Sequence, residues 1–150
     1  MNSGNEYLME GPQEAYRLEM KTDPGAVREY AAWFGIGPGA RVLDVGCGSG
    51  RTACVLHEMV QPGGEVVGID FSNERVRFAQ EKYAGKEGLE FFVRDIAGDL
   101  DDLGGFDYIW VQFLLEYFQK EAKDIIAKLG KNLKQGAALC LIDLDYNCLS

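Results

Sequence analysis

The sequence predicts an α/β protein with a doubly wound, mostly parallel sheet and helices on both faces. Three observations predict it. Short apolar runs alternate with amphipathic stretches, the connections between runs are too long for hairpins, and a glycine-rich loop follows the first run. Strands joined by helical connections pair in parallel through right-handed crossovers, which cover both faces of the sheet.

The elements follow in order. Residues 1 to about 12 are polar and broken by Gly4 and Gly11-Pro12. Helices are expected near Pro12–Met20 and over Pro24–Phe34, the second with Asp23 as N-cap, Pro24 at its first position and Gly35 near its end. Gly37-Pro38-Gly39 is a hard stop. Arg41–Val45 reads as a buried strand and Arg51–Val60 as the helix after the glycine loop. Glu65–Ile69 is the second strand, and Ser72 caps a helix running to about Tyr83. Leu89–Val93 and Phe106–Val111 are the third and fourth strands. A helix near Lys120–Leu133 places Ile125, Ile126, Leu129 and Leu133 on one stripe. Gly136 is expected to end it as a C-cap, and Ala137–Ile142 is the fifth strand.

Composition bounds the rest. A chain of 150 residues is one domain at most, and with 47% hydrophobic residues it can bury a core. Fifteen basic against 24 acidic residues leave a net charge of −9, which argues against nucleic acid as the main partner. No apolar run approaches the roughly 20 residues of a membrane span, and Glu6 and Glu10 interrupt any signal-peptide pattern. Cys47, Cys54, Cys140 and Cys148 show no C-x-x-C spacing and His57 has no clustered partner. Reduced thiols, no metal site and a cytoplasmic location are the expectations.

Val42-Leu43-Asp44-Val45-Gly46-Cys47-Gly48-Ser49-Gly50 carries the most information. Glycines stand where a backbone turns with positive φ or lies directly against a ligand. The first βα turn is also where open parallel sheets bind nucleotides. Three details sharpen this. Arg51 stands where a dinucleotide fingerprint has its third glycine. Asp44, two residues before the first glycine, would oppose a pyrophosphate but attract an ammonium or sulfonium. Asp70, 20 residues past Gly50 at the tip of the second strand, is placed to hold ribose hydroxyls. A positive ligand with ribose and adenosine describes S-adenosylmethionine better than NAD.

On these residues the chain resembles the class I, Rossmann-like S-adenosylmethionine-dependent methyltransferases. VLDVGCGSG resembles their first motif, VVGIDFS the second, FFVRDI the third and FDYIWVQFLLEYF the fourth. Leu129 to Asp143 resembles the next helix and strand, and Glu14 to Gly39 the helical lead-in of small-molecule and quinone-biosynthesis-type members. The resemblance implies strand order 3-2-1-4-5, with a lead-in over 1–38 and the Rossmann-like core over 39–150.

It also implies roles. Asp44 would sit near the methionine amino group, through water, and the backbone at Gly46, Cys47 and Gly48 would line the methionine and ribose portions. Asp70 would bind the ribose hydroxyls and Phe71 would pack beside the adenine. Asp95 and Ile96 would meet the adenine edge, and Gln112 would offer its carbonyl to the methionine ammonium. Each has a plainer reading: Phe71 as a core aromatic, Asp95 as the cap of a turn ahead of Gly98, Cys47 as a small residue in a tight turn. His57 reads as a partly exposed helix residue, and Asp143 and Asp145 as solvated loop acids.

Methyl transfer from a sulfonium is an in-line displacement, and positioning alone supplies much of the acceleration. A base is required only if the acceptor loses a proton as it attacks, so no catalytic residue is assigned. The Asn/Asp-Pro-Pro-Tyr/Phe motif of amino-group methyltransferases is absent, the chain reading Gln112-Phe113-Leu114-Leu115. Tyr16, Trp33, Phe113, Leu114, Tyr117 and Phe118 either line the pocket of a small-molecule acceptor or are ordinary packing. Such methyltransferases have seven strands, and only Leu144 to Ser150 follow the fifth here. Terminal antiparallel strands six and seven are thus missing, which predicts a truncated chain and self-association through the open edge of strand five. Two further readings stand beside this one: a methyltransferase-like binding module without turnover, and an NAD-dependent oxidoreductase.

Overall fold

A computed structural model describes Gln13 and residues 22–143. The expected helix near Pro12–Met20 lies outside the described residues, as do Tyr16 and Asp145. Among the described residues four α-helices and five strands follow in order: α1 (Pro24–Phe34), β1 (Arg41–Val45), α2 (Arg51–Met59), β2 (Glu65–Asp70), α3 (Asn73–Lys82), β3 (Leu89–Val93), β4 (Phe106–Gln112), α4 (Ala122–Leu129) and β5 (Leu133–Ile142). All strand pairs are parallel and the order is β3-β2-β1-β4-β5, as the resemblance implied.

Local chemistry sets the boundaries. The Asp23 carboxylate accepts from the amides of Gly25 and Ala26, and Gly35 closes α1 in the left-handed region. The Ser72 hydroxyl accepts from Arg75 N and starts α3. Arg41 ties the start of β1 to the approach of β4: it donates to the carbonyls of Leu103 and Gly105 and lies over the Phe106 ring.

Alternation along the strands makes two cores. Val42, Val66, Phe91, Trp110 and Cys140 face α1, α2 and α3, while Leu43, Val67, Ile69, Ile109 and Val111 face α4 and the short helical turns. The winding changes sides between β1 and β4, the switch point at which open sheets bind ligands beyond their carboxyl ends.

Two expectations are corrected. The helix near Lys120–Leu133 is only Ala122–Leu129, followed by a 3-10 turn over Gly130–Asn132. Gly136 does not cap it; it lies inside β5, with φ 80°, where the pairing with β4 jumps from Phe106↔Leu133 to Tyr108↔Ala138. The chain enters the strand early because buried Asn132 donates to the carbonyls of Leu100 and Gly104 and fixes the helix exit there. A left-handed glycine serves a bulge as well as a cap, and the sequence pattern does not separate the two.

His57 is likewise not a partly exposed residue. It is buried at the end of α2 and donates from Nε2 to the Glu87 carbonyl at 2.8 Å, bracing the turn before β3.

Candidate cofactor site

β1 ends at Val45, and Gly46, Gly48 and Gly50 all follow with positive φ, at 74°, 54° and 91°. The amides of Gly46 and Cys47 both donate to the Ile69 carbonyl, at 2.8 and 2.9 Å. Gly48 N donates to Asp70 Oδ2 at 3.0 Å and Gly50 N to the Cys47 carbonyl. Four loop amides are therefore turned onto the protein itself. A pyrophosphate cradle needs such amides pointing at the ligand, so the loop is built for a different guest.

Strand register explains where the acids sit. Asp44 pairs with Gly68 on β2 and with Trp110 on β4, and Asp70 lies two residues beyond Gly68 on the same face. A side chain at Gly68 would collide with Phe91 and Cys47, so the ring and the loop close over that position. Both acids are almost wholly buried, at 3% and 2% exposure. Asp44 Oδ2 has no hydrogen-bond partner among the described residues. Burial, and then the neighbouring Asp70, push the Asp44 carboxyl up to about 8.

Asp70 is held from three sides. Oδ2 accepts from Gly48 N, while Oδ1 accepts from Ser72 N at 3.0 Å and from Arg75 Nη1 at 3.4 Å. Burial, Asp44 and Asp70 raise the Cys47 thiol well above its ordinary range, against smaller opposing effects of its own backbone hydrogen bond and Arg75. The thiol stays protonated, and thiolate chemistry is excluded at neutral pH.

The other expected residues lie around the same carboxyl ends. Phe71 is half-buried, with its ring 5.5 Å from the Arg75 guanidinium carbon. Arg94 N donates to the Asp70 carbonyl, which places Asp95 and Ile96 just past the end of β3. Exposed Asp95 also caps its own turn, accepting from Ala97 N through Oδ1 and from Gly98 N through its carbonyl. Gln112 ends β4, where its side chain accepts from Trp110 Nε1 at 3.1 Å.

Of the aromatic and apolar residues offered for an acceptor pocket, Trp33 is misplaced. It sits in the last turn of α1 beside Phe34 and Gly35, and the Gly35 carbonyl accepts from Tyr108 at the start of β4. That is the opposite end of the strands from the glycine loop. Leu114 is buried in the core beneath α4, with Phe118 packed against it. Phe113 stays at the site end, 42% exposed, with φ 55° and its amide on the Ile142 carbonyl.

That left-handed phenylalanine costs energy that glycine would not. Phe113→Gly is therefore expected to be about 1 kcal/mol more stable than Phe113→Ala in urea unfolding. Equal stabilities would show that the backbone there is unstrained.

Arg75 is the residue that sequence reasoning missed. The signal was present: with Val76 and Ala79 it falls on the inward stripe of α3, where a charge is out of place.

A family profile described as a methyltransferase domain matches residues 42–136. The chain belongs to this methyltransferase family. Demethylmenaquinone methyltransferase of Staphylococcus aureus (strain JH9) is 36% identical over an 84-residue alignment that covers 53% of this chain and 33% of that protein. The chain thus matches about a third of the length of that curated relative. Among solved structures, an S-adenosylmethionine-dependent methyltransferase from Aquifex aeolicus superposes with a TM-score of 0.74 at 26% identity, covering 90% of this chain and 73% of its own. Coclaurine N-methyltransferase bound to N-methylheliamine and S-adenosylhomocysteine shares the fold, with a TM-score of 0.67 at 20% identity over 78% and 36% of the two chains. The methyltransferase domain is of the class I kind, whose cofactor is S-adenosylmethionine. Among the described residues, no helix is long and apolar enough to cross a membrane.

Proposed function

We propose that this chain carries the cofactor site of a methyltransferase that transfers a methyl group to a small-molecule acceptor by in-line displacement. The observation that carries the reading is the buried acid pair at the glycine loop, where Oδ2 of Asp44 has no hydrogen-bond partner among the described residues. A buried polar atom left without a partner is costly unless a ligand or water completes it. An ammonium or a water it orders would do so.

On this reading Asp44 holds the methionine ammonium, with the Gln112 carbonyl as a second acceptor. The backbone at Gly46, Cys47 and Gly48 forms the floor under the methionine and ribose. Asp70 takes the two ribose hydroxyls, Phe71 lies beside the adenine, and Asp95 and Ile96 meet its edge. When bound, S-adenosylmethionine supplies a methyl group on a sulfonium whose departure leaves a neutral thioether. The protein's part is to orient that methyl and exclude water. The likeness to a demethylmenaquinone methyltransferase supports a small-molecule acceptor.

Calorimetric titration with S-adenosylhomocysteine and with NADH tests the cofactor. S-adenosylhomocysteine is expected to bind and NADH not to. Asp70→Ala is expected to weaken binding by on the order of 100-fold through loss of charge-assisted hydrogen bonds. Binding of NADH with no response to S-adenosylhomocysteine would overturn the reading.

A further inference from the structure

Arg75 and Asp70 form a buried ion pair at the glycine loop. Their side chains are 3% and 0% exposed, and Arg75 Nη1 meets Asp70 Oδ1 at 3.4 Å. Taking two charges out of water offsets much of what their attraction returns, and an apolar side chain on that stripe would serve the core as well. Nor does Asp70 need Arg75 for its orientation, since the amides of Gly48 and Ser72 already hold its two oxygens. What Arg75 does bring is charge.

Beside it stand the buried acids Asp44 and Asp70, and the influence of Arg75 extends to Cys47 in the glycine loop. The cofactor and its product differ there by one unit. S-adenosylmethionine carries an ammonium, a carboxylate and a sulfonium, for a net charge of +1 by ordinary valence rules. S-adenosylhomocysteine has lost the sulfonium and is neutral overall. A fixed cation beside the site opposes the first and is nearly indifferent to the second.

We propose that Arg75 is a specificity-determining residue that sets the charge preference of the pocket: its guanidinium, held on Asp70, cancels that carboxylate's charge and keeps the site from favouring the cationic cofactor over its neutral product. The inference rests on the cofactor reading above. It concerns the ratio of two affinities, so a general loosening of the site does not imitate it.

Dissociation constants for both ligands, measured by calorimetry on the wild type and on Arg75→Met, Arg75→Gln and Arg75→Lys, test it. The wild type is expected to bind S-adenosylmethionine no tighter than S-adenosylhomocysteine. In the Met and Gln variants the preference is expected to shift toward S-adenosylmethionine by about fivefold or more. The Lys variant should keep the wild-type ratio. Should Arg75→Met not melt cooperatively, Arg75→Gln, which retains a donor for Asp70, decides. Both constants moving by one factor, or an unmoved ratio in the neutral variants, overturns the proposal while leaving the cofactor reading intact. A wild type that binds neither ligand overturns both.

Discussion

Asp44→Asn is expected to make the ligand-free protein more stable at pH 8 while weakening its hold on S-adenosylhomocysteine. The Asp44 carboxyl stands near 8 in the folded protein against an ordinary 3.8, through burial and the nearby Asp70. Between those values the folded state keeps a proton that the unfolded chain has released. Wild-type stability therefore falls as pH rises from about 4 to 8, by up to about 1.4 kcal/mol per pH unit. An amide carries no such proton. The variant's advantage should open across that window and reach on the order of several kcal/mol at pH 8. Urea unfolding at pH 5, 6.5 and 8 measures it. A difference between the two proteins that does not change with pH would rule out the raised carboxyl.

Binding should move the other way. An ammonium at the site favours ionised Asp44, so the wild type releases a proton on binding and its affinity rises from pH 6 to 8. The Asn variant should bind about 10-fold to 100-fold more weakly, with a flat profile over that range. Stability and function thus pull in opposite directions at one side chain, which is common where a site needs a buried charge.

Gly50→Ala should be among the most damaging single-methyl additions to the chain. Gly50 has φ 91°, and a Cβ there would lie 2.8 Å from the Ala79 methyl and 2.9 Å from the Phe91 ring. Backbone strain and overlap add, for a loss of about 3 kcal/mol or more. In a domain of this size that is a fall in Tm of roughly 6–12 °C. Gly39→Ala is the control. Its φ is 85° but a Cβ there meets nothing within 4 Å, so only the strain of about 1 kcal/mol applies. Equal losses in the two variants would show that the close approach of α3 and β3 to the loop is not what requires glycine at position 50.

Residues near in sequence made much of this protein legible without coordinates. Capping chemistry placed the starts of α1 at Asp23 and of α3 at Ser72, and the short apolar runs placed β1 and β3 to the residue, because those signals lie within a few positions of the structure they make. The glycine loop and the two acids were equally readable, since a βα turn is a local device, Asp70 ends β2 and Asp44 stands one residue before the end of β1. Gly136 was ambiguous for a local reason as well: a left-handed glycine looks the same in a cap and in a bulge, and only the pull of Asn132 on Leu100 and Gly104 decides between them.

Tertiary structure alone decided the electrostatics. That His57 is buried against Glu87, that Trp33 lies at the far end of the strands, and that Arg75 reaches Asp70 all depend on which surfaces meet across the fold. Charge and burial act through space, so the sequence by itself determined which acids stand at the loop. Packing decided that one is raised to about 8 and that the other is matched by a buried arginine, because desolvation and Coulomb energies are set by the surroundings of a group rather than by its neighbours in the chain.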